Sequence, residues 1–188
     1  KEEIRALSLA KLRLTRQAVV YDVGAGTGSV SIEAARQACE GRVFAIEKEA
    51  EALALIAENK RKFGADNLCI TAGCAPEVLQ DLPRPTHAFI GGSSGNLRQI
   101  LTVLLAKNPR IRIVINAVTM ETIQEAFSCL RELPVSDPEI VQASIARSRT
   151  AGAYHLMFGQ NPVMILSCEG KGNDGVCRET AGGCVSEK

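Results

Sequence analysis

Five short apolar runs separated by stretches of helical periodicity constrain this chain more than any other feature. They are Ala18 to Val23, Arg42 to Glu47, Leu68 to Ala72, Thr86 to Ile90 and Ile111 to Asn116. None alternates apolar with polar residues, so each reads as a strand buried on both faces, the pattern of a parallel sheet. Helical patterns fill the gaps at Ser29 to Ala38, Glu49 to Phe63, Ala75 to Leu79, Asn96 to Leu105 and Met120 to Leu133, with Gly64 and Pro134 as stop signals. Repeated strand-helix units predict a right-handed, mostly parallel, doubly wound α/β sheet. Ahead of them, Ile4, Leu7, Leu9, Leu12 and Leu14 give an amphipathic helical pattern at the very start.

After Pro134 the pattern changes. Glu139 to Ala146 and Pro162 to Cys168 read as two strands with no helix between, which predicts an antiparallel edge hairpin. The segment joining them, Arg147 to Asn161, carries Arg147, Arg149, Tyr154 and His155, rich chemistry for a connector. Residues 169–188 hold five glycines and few apolar residues, and are expected to form a disordered tail behind one domain at 1–168. The chain begins at Lys1 rather than Met, already inside a helical pattern, which suggests a piece of a longer polypeptide.

Composition narrows the partners. With 22 basic and 21 acidic side chains the net charge is +1, so no broad field gathers a polyanion such as nucleic acid. Aromatic residues make up 4% and Trp is absent, which disfavours a base-stacking surface and leaves a small molecule as the expected partner. Of seven cysteines, Cys39, Cys69, Cys74, Cys129 and Cys168 lie in or beside apolar runs and read as buried thiols in a reducing, cytoplasmic setting. Cys177 and Cys184 lack the companions of a zinc site, so no metal is expected. No run reaches the roughly 18 apolar residues of a membrane span, and no signal-peptide pattern opens the chain.

The chemistry concentrates after the first strand. Asp22-Val23 runs into Gly24-Ala25-Gly26-Thr27-Gly28, and a helix starts near Ser29. Glycines here permit left-handed backbone and let a ligand approach the main chain, while free N–H groups at the helix start face it. A dinucleotide fingerprint wants its third glycine three residues after the second; here Ser29 holds that place and the third glycine is Gly28. This spacing favours S-adenosylmethionine over NAD, although glycine turns also join strands to helices where no ligand binds. Glu47, followed by Lys48, ends the second strand about twenty residues on, where a carboxylate accepts both ribose hydroxyls. Cys74 and Ala75 follow the third strand, at the edge expected to meet the adenine; packing is the competing reading of Cys74.

These residues resemble the CbiT-type corrin methyltransferases, also found as the C-terminal half of precorrin-6Y C(5,15)-methyltransferase (decarboxylating). The resemblance runs from Lys1 to about Cys168. It rests on Glu3-Ile4-Arg5-Ala6 with Lys11-Leu12, on the stretch from Tyr21 to Glu33, on Phe89-Ile90-Gly91-Gly92-Ser93-Ser94-Gly95, and on Ile145-Ala146-Arg147-Ser148-Arg149 with Asn161-Pro162-Val163. It implies a Rossmann-like class I methyltransferase fold and S-adenosylmethionine as cofactor. It also implies a homotetramer and methyl transfer to a meso carbon of a precorrin, coupled to decarboxylation of an acetate arm in cobalamin synthesis. Two departures stand out: Cys74 where the family usually has Asp, and a start just after the Thr that commonly precedes Lys1, as though a fused N-terminal methyltransferase domain had been removed.

An electron-rich carbon of a reduced tetrapyrrole is already a nucleophile, so positioning carries the rate. Gly91, Gly92 and Ser93 follow the fourth strand, where small residues leave room for a flat macrocycle. Arg147 and Arg149 are candidates to grip its carboxylates, and Tyr154 to orient one of them. Competing readings are a class I methyltransferase acting on another small molecule and a non-catalytic adenosylmethionine-binding regulatory module. A nucleic-acid amine methyltransferase would instead favour an Asn/Asp-Pro-Pro-aromatic motif where this chain has Ile90-Gly91-Gly92-Ser93.

Overall fold

A computed structural model describes residues 1–172. In chain order the elements are α1 (Glu2–Leu12), β1 (Val19–Val23), α2 (Ser29–Gln37), β2 (Arg42–Glu47), α3 (Ala50–Phe63) and β3 (Leu68–Ala72). Then come β4 (His87–Ile90), α4 (Leu97–Lys107), β5 (Arg112–Ala117), α5 (Met120–Glu132), β6 (Val135–Ala143), β7 (Ala146–Ala151), β8 (Tyr154–Gly159) and β9 (Val163–Gly170). The local signals act as expected. Gly64 closes α3 with φ 60°, and Thr119 opens α5 by accepting the Thr122 N–H at 3.2 Å.

Seven strands form one sheet in the order β3-β2-β1-β4-β5-β9-β6. β1 to β5 are mutually parallel, whereas β9 runs antiparallel to both β5 and β6. Its central strands are buried on both faces, and alternate residues feed two cores. Tyr21, Val23, Ile46 and Ile90 pack under α4 and α5, and Val20, Val43 and Val114 under α1 and α2. Arg112, 5% exposed, ties three elements together: its guanidinium donates to Lys11 O (2.9 Å), Ser167 Oγ (3.1 Å) and Glu169 Oε1 (3.4 Å). Buried guanidinium donors satisfied in this way avoid the penalty of an unpaired charge.

The doubly wound parallel sheet expected from the sequence is present, with corrections toward its C-terminal half. β6 starts at Val135 rather than Glu139 and ends at Ala143 rather than Ala146. As expected, it pairs antiparallel with β9 at one end of the sheet, β6 forming the edge and β9 joining it to β5. The connector is a second antiparallel sheet of two strands, β7 and β8, with every residue exposed. Ala75 to Leu79 is a 3-10 turn at Glu77–Leu79 rather than a helix. β9 continues to Gly170, so residues 169 and 170 belong to the sheet and not to a tail, and residues 173–188 lie outside the described part. Cys39 and Cys74 are exposed and Cys69 is half-buried, leaving only Cys129 and Cys168 as the buried thiols foreseen among these five.

Candidate functional site

Every parallel strand ends on the same edge, and the segments that follow β1 to β5 gather there: Gly24, Lys48, Gly73, Gly91 and Val118. α1 also points its N-terminus to this edge, because it runs antiparallel to β5, with Ser8 beside Asn116 and Lys11 beside Arg112. The hairpin β7–β8 leaves from the same edge, since β6 ends and β9 begins next to Ala117. Ligands of open α/β sheets bind at this carboxyl edge, where neighbouring connections diverge to opposite faces.

A cleft of ≈ 210 Å³ opens between β1, β2 and β4; Gly24, Glu47, Lys48, Cys74, Ala75 and Gly92 line it. Gly24 is fixed by steric need. Its φ is 72°, and a Cβ there would lie 2.7 Å from Gly92 O and 2.8 Å from Gly92 N. Gly26 and Gly28 also have positive φ, and Gly28 caps α2. The rest of the loop shapes the cleft rather than lining it: Gly28 N donates to Ala25 O at 2.9 Å, and Thr27 O accepts from Asn59 Nδ2 at 2.9 Å.

Glu47 is the chemical centre of the cleft. Its Oε2 accepts from Gly26 N at 2.8 Å, and its Oε1 from Lys48 N at 2.7 Å and Glu49 N at 3.1 Å. Its pKa lies below the usual carboxylate value: burial works to raise it, but these three N–H donors and the Lys48 charge outweigh burial. An ionised carboxylate has about four acceptor positions. Three are filled from the main chain, which leaves one acceptor position open on Oε2. Asp22 does not line the cleft. It is buried beneath the loop, one oxygen accepts from the Ser31 hydroxyl and the other has no partner. Burial pushes its pKa up to about 6, opposed by the Ser31 hydroxyl and assisted by the nearby Glu47 charge.

Gly92 and Ser93 form a wall shared with a second cleft of ≈ 260 Å³, whose lining also includes Gly91, Asn116 and Thr122. Sequence reasoning missed Asn116 and Thr122, one taken as the end of a strand and the other as helix. The hairpin residues stand apart from both clefts. Arg147 holds Glu3 of α1 through Nη2, at 2.6 and 2.8 Å from the two carboxylate oxygens. Arg149 stacks 5.3 Å from the Phe158 ring centroid, and Tyr154 is 74% exposed. Among the described residues no group of three metal-ligating side chains forms, and no helix is long and apolar enough to cross a membrane.

A dinucleotide-binding Rossmann sheet would continue in parallel to its last strand. Here the reversed β9, inserted between β5 and β6 and combined with the glycine cradle and Glu47, defines a class I methyltransferase fold. The comparisons narrow this. The model of the precorrin methyltransferase domain matches residues 1–169, and the chain belongs to that family. It is 42% identical, over 89% of its length and 86% of the relative's, to a protein of Pyrobaculum calidifontis named "probable cobalt-precorrin-6B C(15)-methyltransferase (decarboxylating)". The Salmonella typhimurium cobalt-precorrin-6B C(15)-methyltransferase (decarboxylating) is 36% identical over 92% of this chain and 90% of that one. The crystal structure of precorrin-6Y C5,15-methyltransferase from Geobacter metallireducens superposes with a TM-score of 0.85 at 38% identity, covering 90% of this chain and 89% of that one.

Proposed function

We propose that this chain transfers the methyl group of S-adenosylmethionine to a meso ring carbon of a precorrin or cobalt-precorrin, of the C15 type, with decarboxylation of an acetate arm, in cobalamin synthesis. The observation that carries the reading is the ionised Glu47 latched to Gly26, facing a cleft whose wall Gly24 and Gly92 keep free of side chains. These residues fit the cofactor: the carboxylate suits a ribose, and the Gly24–Gly92 approach leaves main chain in contact with a flat, charged ligand. When bound, S-adenosylmethionine supplies an electrophilic methyl group on sulfur.

The rest is positioning. Glu47 fixes the ribose end, Cys74 and Ala75 border the adenine end, and Asp22 supports the loop from below through Ser31. Gly91, Gly92 and Ser93 follow β4 between the two clefts, and their small side chains leave the methyl donor accessible to a macrocycle lying across the mouth of the cofactor cleft. Arg147 and Arg149, on the hairpin at the same edge, are the candidates for its outer carboxylates, with Glu3 holding Arg147 in place until one arrives. The exposed Leu156, Met157 and Phe158 favour self-association through the hairpin, which supports a homotetramer. The exposed thiols Cys39 and Cys74 suit a reducing compartment such as the cytoplasm. Incubation of the purified chain with labelled S-adenosylmethionine and cobalt-precorrin-6B tests the reading: methylated product and released carbon dioxide are expected, and the absence of methyl transfer refutes it.

A further inference from the structure

The second cleft carries chemistry of its own. It lies on the opposite side of the Gly91–Gly95 loop from the cofactor cleft and is bounded by the starts of two helices, α4 two residues beyond Gly95 and α5 two residues beyond Val118. The first N–H groups of a helix lack intrahelical acceptors and carry partial positive charge. Here Glu125 already accepts the Arg98 N–H at 3.1 Å, and Thr119 accepts that of Thr122. Independent of the helix ends is Ser93, which is 9% exposed and lines both clefts, yet its hydroxyl has no hydrogen-bond partner among the described residues. Ser93 Oγ is not among the side-chain atoms sealed from solvent, so its proton is available to an acceptor that enters the cleft.

Two further donors line the same cleft. Ser8 Oγ lies 2.8 Å from Ile4 O and 3.1 Å from Asn116 Oδ1, either of which accepts its one proton, and it accepts from Asn116 Nδ2 at 2.9 Å, which uses one of the two amide N–H groups. Thr122 Oγ1 accepts from Thr119 Oγ1 at 3.0 Å and keeps its own proton. No acidic side chain lines the cleft among the described residues. Ser94 and Gly95 both adopt left-handed backbone, φ 50° and 82°, which curls the loop around this space.

We propose that this second cleft is a carboxylate subsite, in which Ser93, Asn116 and Thr122 hold one acidic arm of the tetrapyrrole and so set the ring's register against the methyl donor. The proposal rests on the function proposed above and names the group that gives the substrate its orientation. Three hydroxyl and amide donors at the mouths of two helices match a carboxylate, and a cleft of ≈ 260 Å³ admits a side arm rather than a macrocycle.

Thr122→Asp tests it without threatening the fold, because the third position of α5 is one where a helix start favours an acid. Thr122→Asn is the neutral control of similar size. Affinity for cobalt-precorrin-6B is read by absorbance titration, and affinity for S-adenosylmethionine by calorimetry on the same preparations. The expected result is tetrapyrrole binding at least tenfold weaker in Thr122→Asp than in Thr122→Asn, with S-adenosylmethionine binding within twofold of the unmodified chain in both. Equal tetrapyrrole affinity in the two variants overturns the subsite while leaving the proposed function standing. Loss of S-adenosylmethionine binding in Thr122→Asp overturns a subsite separate from the cofactor cleft. An unmodified chain that binds S-adenosylmethionine but no tetrapyrrole overturns the subsite and the substrate reading together.

Discussion

Replacing Glu47 separates two jobs that one carboxylate performs. In the free chain it accepts three main-chain N–H groups, from Gly26, Lys48 and Glu49. In the proposed complex it also accepts a ribose hydroxyl. Glu47→Gln keeps the shape and one oxygen acceptor but removes the charge and turns the other oxygen into a donor, which opposes the Gly26 N–H. A hydrogen bond to a charged group contributes about 1.5–3 kcal/mol. Loss of the ribose bond alone therefore weakens S-adenosylmethionine binding by about 2 kcal/mol, or roughly thirtyfold. The loop contribution is read separately, by amide exchange at Gly26, whose N–H loses its acceptor and exchanges faster. The assay is isothermal calorimetry of S-adenosylmethionine into both proteins at constant salt, with thermal unfolding as the check on folding. A loss under threefold, in a variant whose Gly26 amide does exchange faster, refutes the assignment of Glu47 to the cofactor.

Three more expectations follow from the same geometry. Gly24→Ala combines a left-handed residue with a Cβ 2.7 Å from Gly92 O, so it costs about 2–4 kcal/mol of stability and lowers the melting temperature; an unchanged melting curve contradicts the close approach. Asp22 has a folded pKa near 6 against an ordinary 3.8, so its ionisation penalises the fold. The stability it contributes is present below pH 4 and is lost as the pH rises through 6. Asp22→Asn should therefore flatten the stability profile between pH 4 and 6 in urea melts, and an undiminished slope contradicts the burial argument. Phe158→Glu together with Met157→Glu should shift the sedimentation coefficient to that of a smaller assembly, and identical sedimentation excludes the hairpin as the contact.

The parts of the fold legible in the sequence are those where burial imposes a pattern. β2 has the bounds expected, because a strand covered on both faces leaves no room for polar residues at its centre; β3 also has its expected bounds, but as the edge strand it is buried fully only at Leu68 and not on both faces as the sequence suggested. β7 and β8 were hidden for the opposite reason. Every residue in both is exposed, so no buried face imposed a period of two, and Arg147 to Asn161 read only as a connector. The glycine cradle was legible because sterics restrict what stands at Gly24. The latch between Glu47 and Gly26, the pairing of Arg147 with Glu3 across 144 positions, and the juxtaposition of Ser8 with Asn116 were not, since each depends on how distant segments meet at the sheet edge. Cys39 and Cys74 were misjudged as buried because each stands beside a buried alanine, Ala38 and Ala75, whose burial does not extend to it where the chain leaves a helix or a strand.

The central claim is methyl transfer from S-adenosylmethionine to a precorrin ring carbon by this chain. Its most direct test is mass spectrometry of cobalt-precorrin-6B after incubation with S-adenosylmethionine carrying a labelled methyl group. The predicted result is one labelled methyl gained and one carbon dioxide lost per turnover, both abolished with Glu47→Ala. An unaltered tetrapyrrole recovered from a folded, S-adenosylmethionine-bound chain would contradict it.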